Sequence, residues 1–192
     1  MPGERALRAV PARPSDGEIV AAARTGELWA QEALYRASAP SAFGLVRRLL
    51  GTDEDVDDVV QDTFLTAFRT LESLRDDDAF RAWMLRIAVG KVSRVIRKRR
   101  VLAMLGLRSK ERPDLDDVLG PSATPEIALE LQRIYRFVVS LPADIRVAFV
   151  LRRVEGRTLE EIAELTSASL ATVKRRVARA DAALAELEEG EA

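Results

Sequence analysis

Charged side chains concentrate in three clusters along the sequence, and each cluster carries one sign. Residues 53–62 hold six acids and no base, residues 86–100 hold seven bases and no acid, and residues 170–180 hold four bases and no acid. Two basic surfaces suit a polyanion, and the acidic surface suits a different partner, although the formal net charge is only −1. The pattern therefore indicates two binding sites for a polyanion and one for something else.

Two residue types that carry much enzyme chemistry are absent. The 192 residues include no cysteine, which excludes disulfides, thiol nucleophiles and cysteine-ligated metal sites. They include no histidine, the commonest general base and metal ligand. A carboxylate-based metal hydrolase is the remaining enzyme alternative, with the acids of 53–62 as its candidate ligands. Their helical spacing lacks a looped set of mixed oxygen donors, so we expect no metal, no cofactor and no catalytic residue.

The hydrophobic pattern predicts an all-α fold with two small helical domains joined by a flexible linker. Apolar residues recur at three- and four-residue spacing, and no strand pattern appears. No apolar run approaches the roughly 18–20 residues of a membrane span, and the N-terminus has no stretch typical of a signal peptide. We therefore expect a cytoplasmic protein without membrane insertion. The expected parts are a disordered arm at 1–14, a helical domain at 15–101, a linker at 102–124 and a second domain at 125–188.

Helix start and stop signals divide the first domain into four main helices. The expected elements are a helix starting near Gly17 and capped by Asp16, a helix over Leu28–Leu50 bending at Pro40 and ended by Gly51, a helix over 53–72, a polar turn at 73–79, a helix over 79–101 and a short helix within 101–107.

The second domain has the pattern of a helix-turn-helix. Thr124 and Pro125 favour a helix start, and Leu141-Pro142 marks a break. Thr158 and Glu161 are spaced as a capping box, which opens a short helix over about 158–165. Residues 166–168 form a turn, and Ser169 caps a last helix that runs to about residue 188. In such a motif the start of the second helix enters the major groove, although a solvated basic helix in an ordinary bundle is the alternative.

The basic stretch of residues 86–100 leaves three interpretations open. Its bases complement the negative end of a helix dipole, they suit an anionic membrane surface, and they suit nucleic acid. Phe80 and Trp83 precede them, and aromatic residues beside bases are typical of single-strand binding, although Trp83 fits the core better than a stacking role. The candidate residues are Arg86, Lys91, Arg94, Arg97, Lys98, Arg99 and Arg100.

Two sets of residues resemble a known family. Residues 58–65 (Asp-Val-Val-Gln-Asp-Thr-Phe-Leu) and 79–88 (Ala-Phe-Arg-Ala-Trp-Met-Leu-Arg-Ile-Ala) resemble conserved region 2 of the sigma-70 family, extracytoplasmic-function group. Residues 141–151, 156–163 and 171–180 resemble region 4 of the same group. The two regions occur in order, with a short linker, and together cover about 15–101 and 125–186.

The resemblance implies a bacterial RNA polymerase sigma factor. Such a protein binds core polymerase and directs promoter recognition, DNA melting and transcription initiation. By resemblance, Asp58, Gln61, Asp62 and Phe68 match the surface that binds the clamp coiled coil of the β′ subunit. The helix over 79–101 and the preceding loop at 73–79 match the part that opens and reads the −10 element, and its bases at 86–100 are the implied DNA-binding residues, with those at 97–100 suited to the promoter backbone. Residues 102–124 would thread toward the RNA exit path. The β flap and an anti-sigma factor are further implied partners. The implied −35 residues are Ser169, Ala171, Thr172, Lys174, Arg175, Arg176 and Arg179.

Three residues depart from the family pattern. Many members have Asn, implicated in −10 reading, where this chain has Gly90, and many have Asp at the position of Arg94. Ala171 stands where a Gly is common. The resemblance therefore supports polymerase binding and −35 recognition more strongly than readout of a −10 sequence. The alternative is a stand-alone helix-turn-helix regulator, which would bind its promoter tightly without polymerase.

Overall fold

The structure, a computed structural model, describes residues 15–107 and 124–189. These residues form α-helices and two single 3-10 turns, with no strand among them, which confirms the all-α fold class. The predicted arm at 1–14 and residues 108–123 of the predicted linker lie outside the described residues. The helices are α1 (Asp16–Arg24), α2 (Leu28–Leu50), α3 (Val56–Arg69), α4 (Phe80–Met104), α5 (Pro125–Ser140), α6 (Ala143–Arg153), α7 (Leu159–Thr166) and α8 (Leu170–Glu189).

The first two helices begin and end at local sequence signals. Ser15, not Asp16 as predicted, caps α1: its hydroxyl accepts from the Glu18 N–H at 3.3 Å, and the Glu18 carboxylate accepts from the Ser15 N–H at 2.7 Å. Helix α2 continues through Pro40. It ends at Gly51, whose φ of +67° lies in the left-handed region that glycine tolerates, as the sequence predicts.

The connections around α3 and α4 differ from the prediction. Helix α3 begins at Val56 instead of 53, because Asp55 has a left-handed φ of +67° and the preceding residues form a turn. The 3-10 turns Leu71–Ser73 and Asp77–Ala79 fall at the predicted polar turn. Helix α4 continues to Met104, so the separate short helix expected within 101–107 is wrong.

The C-terminal unit contains α5 to α8, and the bounds of these helices fall close to the predicted ones. Helix α5 starts at Pro125. The capping box of α7 is present: the Thr158 hydroxyl accepts from the Glu161 N–H at 3.1 Å, and the Glu161 carboxylate accepts from the Thr158 N–H at 2.7 Å. Ser167, with a φ of +51°, turns the chain into α8. Helix α6 is buried over most of its length and packs on α7 and α8.

The two helical units also pack against each other. Helix α4 contacts α6 and α7, and the C-terminal half of α2 contacts α6. One hydrophobic core cluster therefore runs through the described residues of both units. This packing decides which faces of α4 and α8 are open to solvent.

Candidate nucleic-acid interface

Helix α8 has one apolar face and one cationic face. Its apolar face anchors it on the rest of the C-terminal unit through Val173, Val177 and Ala180, which are buried. Among the residues that face away from that core are several cations. Exposed cations on the second helix of a helix-turn-helix contact bases or phosphates in the major groove. Three predicted −35 residues are exposed here, namely Lys174, Arg175 and Arg179.

The N-terminus of α8 is capped by a side chain, as predicted. The Ser169 hydroxyl accepts from the Thr172 N–H at 3.2 Å, and the two hydroxyl oxygens lie 2.9 Å apart. Ser169 and Ala171 are exposed, and Thr172 is half-buried. The first turn of α8 therefore combines exposed small residues with hydroxyl groups, which leaves room for a DNA backbone or base edge to approach.

The cap of α7 depends on an ionised carboxylate. Hydrogen bonding from the Thr158 backbone N–H, and then from the Arg157 side chain, lowers the pKa of Glu161 from its ordinary value. A lowered folded-state pKa stabilises the folded protein above the unfolded-state pKa of Glu161, and this contribution is lost as the pH falls through the folded-state value. The cap is therefore fully present at neutral pH.

Arg176 differs from its three exposed neighbours. Its side chain is only 23% exposed, and its Nη2 donates to Oδ2 of Asp144 on α6 at 3.0 Å. It lines a cavity of about 300 Å³ between the C-terminal unit and α4. Of the predicted −35 residues, Arg176 is therefore the one that lines this cavity beside α4.

The basic side chains of α4 fall into groups with different surroundings. The Arg86 Nε donates to the Glu164 carbonyl at 2.9 Å, and the Arg97 Nη1 donates to Asp144 Oδ1 at 3.1 Å. Both side chains thus contact the C-terminal unit while remaining partly open to solvent. The other basic residues of α4 that are exposed are Arg94, Lys98 and Arg100.

Two of the predicted −10 residues are engaged within the N-terminal unit. The Lys91 ammonium lies 2.5 Å from Asp62 on α3, so it pairs with a residue assigned by resemblance to polymerase binding. Arg99 is only 3% exposed. The expectation that Arg99 lies on a solvent-facing basic surface is therefore wrong.

Arg99 instead holds the turn between α2 and α3. Its Nε donates to Asp55 at 3.0 Å, its Nη1 to the Thr52 hydroxyl at 3.1 Å, and its Nη2 to the Glu54 carbonyl at 2.6 Å. A guanidinium presents five donors in a fixed plane, which suits this set of acceptors. Arg99 therefore fixes the left-handed Asp55 and the first turn of α3.

The acidic surface of α3 is open and contains an apolar residue that the sequence analysis missed. Asp58, Gln61 and Asp62 are exposed, and Phe68 is half-buried with its ring 6.0 Å from that of Phe64. Leu65 lies four residues after Gln61 and is 45% exposed. Its place outside the buried stripe of α3 is the sequence signal that could have identified it.

Trp83 is half-buried and packs against the core, which agrees with the core role favoured from the sequence over a stacking role. Its ring lies 6.2 Å from that of Phe80. It also lines a cavity of about 510 Å³ formed by residues 73–76, the first turns of α4 and the helix α7. The polar turn predicted before α4 therefore faces the helix-turn-helix across an open space.

Residues 15–107 and 124–189 contain neither a metal-binding cluster nor a membrane-spanning helix. No group of three or more acidic side chains lies close enough there to hold a metal ion. None of the helices in these ranges is both long and apolar enough to cross a membrane.

Comparisons with known proteins agree on one family. The family models for Sigma-70 region 2 and Sigma-70, region 4 match residues 34–101 and 131–189. The ECF RNA polymerase sigma-E factor of Haemophilus influenzae is 30% identical over 183 residues, covering 86% of this chain and 91% of that protein. The sigma-E factor of Escherichia coli is 35% identical over 137 residues, covering 68% of this chain and 72% of that protein. The solved structure of CnrH in complex with the cytosolic domain of CnrY is 28% identical, with a TM-score of 0.59, covering 92% of this chain and 99% of that one.

Together with these matches, the helical unit with an acidic face and the helix-turn-helix with a cationic face place the chain in the sigma class of transcription initiation factors. The chain belongs to the extracytoplasmic-function group of the sigma-70 family. It acts as an RNA polymerase sigma factor, which binds core polymerase and promoter DNA. The alternative function, a stand-alone helix-turn-helix regulator, is not favoured.

Proposed function

We propose that each charged surface of this sigma factor has its own partner. The unit at 15–101 acts as region 2, with Asp58, Gln61, Asp62, Leu65 and Phe68 binding the β′ clamp coiled coil and α4 binding the −10 region. Residues 102–124 act as the linker. The unit at 125–188 acts as region 4, with α8 reading the −35 element and the unit contacting the β flap. The observation that carries this proposal is the separation of the exposed acids of α3 from the exposed cations of α8.

The proposed mechanism is binding without catalysis. Helix α8 holds the −35 duplex, and α4 captures unpaired bases of the non-template strand, which lowers the cost of melting. Two weak DNA-binding surfaces on one chain bind more tightly than either alone, because the first contact raises the effective concentration of the second. We place this activity in the cytoplasm, with core polymerase, and propose an anti-sigma factor as a further partner.

The experiment that tests the function is run-off transcription with purified bacterial core polymerase and a promoter library. Initiation at a subset of promoters only when this protein is added is the expected result. Core binding without initiation would contradict the promoter assignment. No core binding would contradict the assignment of α3.

Arg175→Ala is expected to weaken binding of the holoenzyme to −35 DNA by about 1–3 kcal/mol, because an exposed arginine on the recognition helix is placed for a bidentate base contact. Arg136→Ala is the matched control, since Arg136 is an exposed arginine on α5. Fluorescence anisotropy with a −35 duplex and a scrambled duplex measures the effect. An equal loss on both duplexes would instead mark Arg175 as a phosphate contact.

Gly90→Asn is expected to increase open-complex formation at promoters. A side chain at Gly90 has room, because no atom lies within 4 Å of the position a Cβ would take. The amide would supply a donor and an acceptor to an unpaired base at the α4 surface. Gly90→Ala is the control, since it adds a Cβ without the amide; it also adds roughly 0.5–1 kcal/mol of helix stability, which is more than Asn adds. Permanganate footprinting measures the melted region, and equal melting by both variants would contradict the role of the amide.

A further inference from the structure

Arg24, the last residue of α1, contacts the polar loop that precedes α4. Its Nε donates to the Leu71 carbonyl at 3.4 Å, and its Nη2 donates to the Leu74 carbonyl at 2.8 Å. Its Nη1 donates to the Asp77 carboxylate at 3.0 Å, and its Nη2 also donates to that carboxylate, so the ion pair is bidentate. One guanidinium therefore holds three points of the loop, which lie 47 to 53 residues further along the chain.

Two of these points lie on either side of a bend in the loop. The two 3-10 turns are separated by residues 74–76, whose backbone belongs to neither turn. Arg24 joins the carbonyl of Leu74, before the bend, to the carboxylate of Asp77, after it. A guanidinium presents its donors in a fixed plane, so it fixes the separation and the orientation of the two groups. We name residues 74–77 the arc.

The loop is anchored to the rest of the N-terminal unit by apolar contacts as well. Leu71 and Leu74 are buried. Helix α1 contacts both 3-10 turns, and a Cβ at Gly17 would meet the Asp77 Cβ at 3.9 Å, an ordinary van der Waals distance. These contacts hold the loop in place, whereas the hydrogen bonds of Arg24 determine the course of the backbone within the arc.

The arc presents polar side chains between its two held ends. Arg75 and Asp76 are exposed, and together with Ser73 they line the cavity of about 510 Å³. The Asp76 carboxylate also accepts from the Asp78 N–H at 3.1 Å, which orients it. A guanidinium, a carboxylate and a hydroxyl supply donors and acceptors for the edge of an unpaired base. The direction in which they point depends on the backbone that Arg24 holds.

We propose that Arg24 is a positioning residue for base selection in the −10 strand: by holding the arc, it determines which unpaired base Arg75 and Asp76 accept. This inference rests on the proposed function, in which α4 and the loop before it bind that strand. The Arg24 side chain is only 27% exposed, and the loop engages most of its donors, so it acts through the arc and not through a phosphate. The exposed cations of α4 supply the part of the affinity that does not depend on sequence.

Selection of single strands by the holoenzyme tests the inference. Holoenzyme assembled from this protein and core polymerase is mixed with a library of randomised DNA single strands, and sequencing of the bound fraction gives the base preference at each position. Arg24→Met removes the donors and keeps a long side chain, and Asp77→Ala removes the carboxylate end of the same contact. Arg36→Met is the matched control, because Arg36 is an arginine on α2 whose ion pair, with Glu32 at 2.6 Å, lies within its own helix.

Arg24→Met and Asp77→Ala are each expected to lower the enrichment of the preferred base at one position by about tenfold, the discrimination that one well-placed hydrogen-bonded contact provides. The total affinity for the library is expected to change by less than about threefold, since the phosphate contacts remain. Because both substitutions break one contact, the double variant is expected to lose little more than either single variant. Arg36→Met is expected to keep the natural preference, and thermal unfolding verifies that every variant is folded.

Three results would overturn the inference. One is an unchanged base preference in the folded Arg24 and Asp77 variants, which would mean that the arc does not select the base. Another is an equal loss at every position and on the −35 duplex, which would mean that Arg24 only stabilises the fold. The third is a natural holoenzyme that binds the library without a preferred base, which would leave the proposed function standing. Failure of the proposed function looks different: the natural holoenzyme would then not bind the single strands.

Discussion

Gln61→Ala combined with Leu65→Ala is expected to weaken binding to core polymerase by about thirtyfold or more. Truncating the few hot-spot residues near the centre of a protein interface costs about 2 kcal/mol or more, and every 1.4 kcal/mol is a factor of ten. Both side chains are exposed on one face of α3, so their truncation removes contact area from the partner and little from the core. Asp62 is left in place because it pairs with Lys91.

Leu28→Ala is the matched control for this double variant. Leu28 is the most exposed of the large hydrophobic residues described, at 80%, and it lies on α2 outside the acidic surface. Titration of labelled core polymerase measures the affinity, and thermal unfolding is expected to change little in all variants. A loss of affinity in Leu28→Ala equal to that of the double variant would contradict the assignment of α3.

Arg99→Ala is expected to lower the free energy of unfolding by about 3 kcal/mol, because breaking a buried charged network by removing one partner leaves the other groups desolvated. The substitution removes the donors to Asp55, to Thr52 and to the Glu54 carbonyl. The turn before α3 then loses the group that fixes its left-handed residue. Thermal unfolding measures the effect, with an expected fall in midpoint of roughly 10 °C.

Lys98→Ala separates a structural role from a DNA-binding role. Lys98 is the neighbour of Arg99 in sequence, and it is exposed. We expect its truncation to leave the unfolding midpoint nearly unchanged and to weaken single-strand binding through the loss of one phosphate contact. An unchanged midpoint in Arg99→Ala would contradict the positioning role given to Arg99.

Features encoded within a few residues were predictable from the sequence. The capping box of Thr158 and Glu161, the helix start at Pro125 and the left-handed end of α2 at Gly51 all follow from short-range hydrogen bonding and backbone conformation. Position within the apolar period also gave the buried stripes of α2, α3 and α4. It failed for α5, in which Phe137 is buried but Ile127 and Ile134 of the predicted stripe are exposed. The cationic face of α8 was predictable for the same reason, because one helix determines both faces.

Features that depend on distant residues were not predictable. Arg99 lies in a run of bases and has the composition of a solvated surface, yet its acceptors lie 44 to 47 residues earlier in the chain. The late start of α3 follows from that same contact. Arg176 lies beside α4 because the two units pack together, and the pattern of a single helix does not predict that packing. Lys91 illustrates the same limit, since its partner Asp62 is on another helix.

The carboxylate of Asp144 has a consequence for how salt affects this protein. It pairs with two arginines, Arg97 at 3.1 Å and Arg176 at 3.0 Å, and its side chain is 46% exposed. Salt screens ion pairs between solvent-exposed groups, whereas it does not screen apolar packing. Added salt is therefore expected to loosen the link that Asp144 makes between α6, α4 and α8, while the hydrophobic core stays intact.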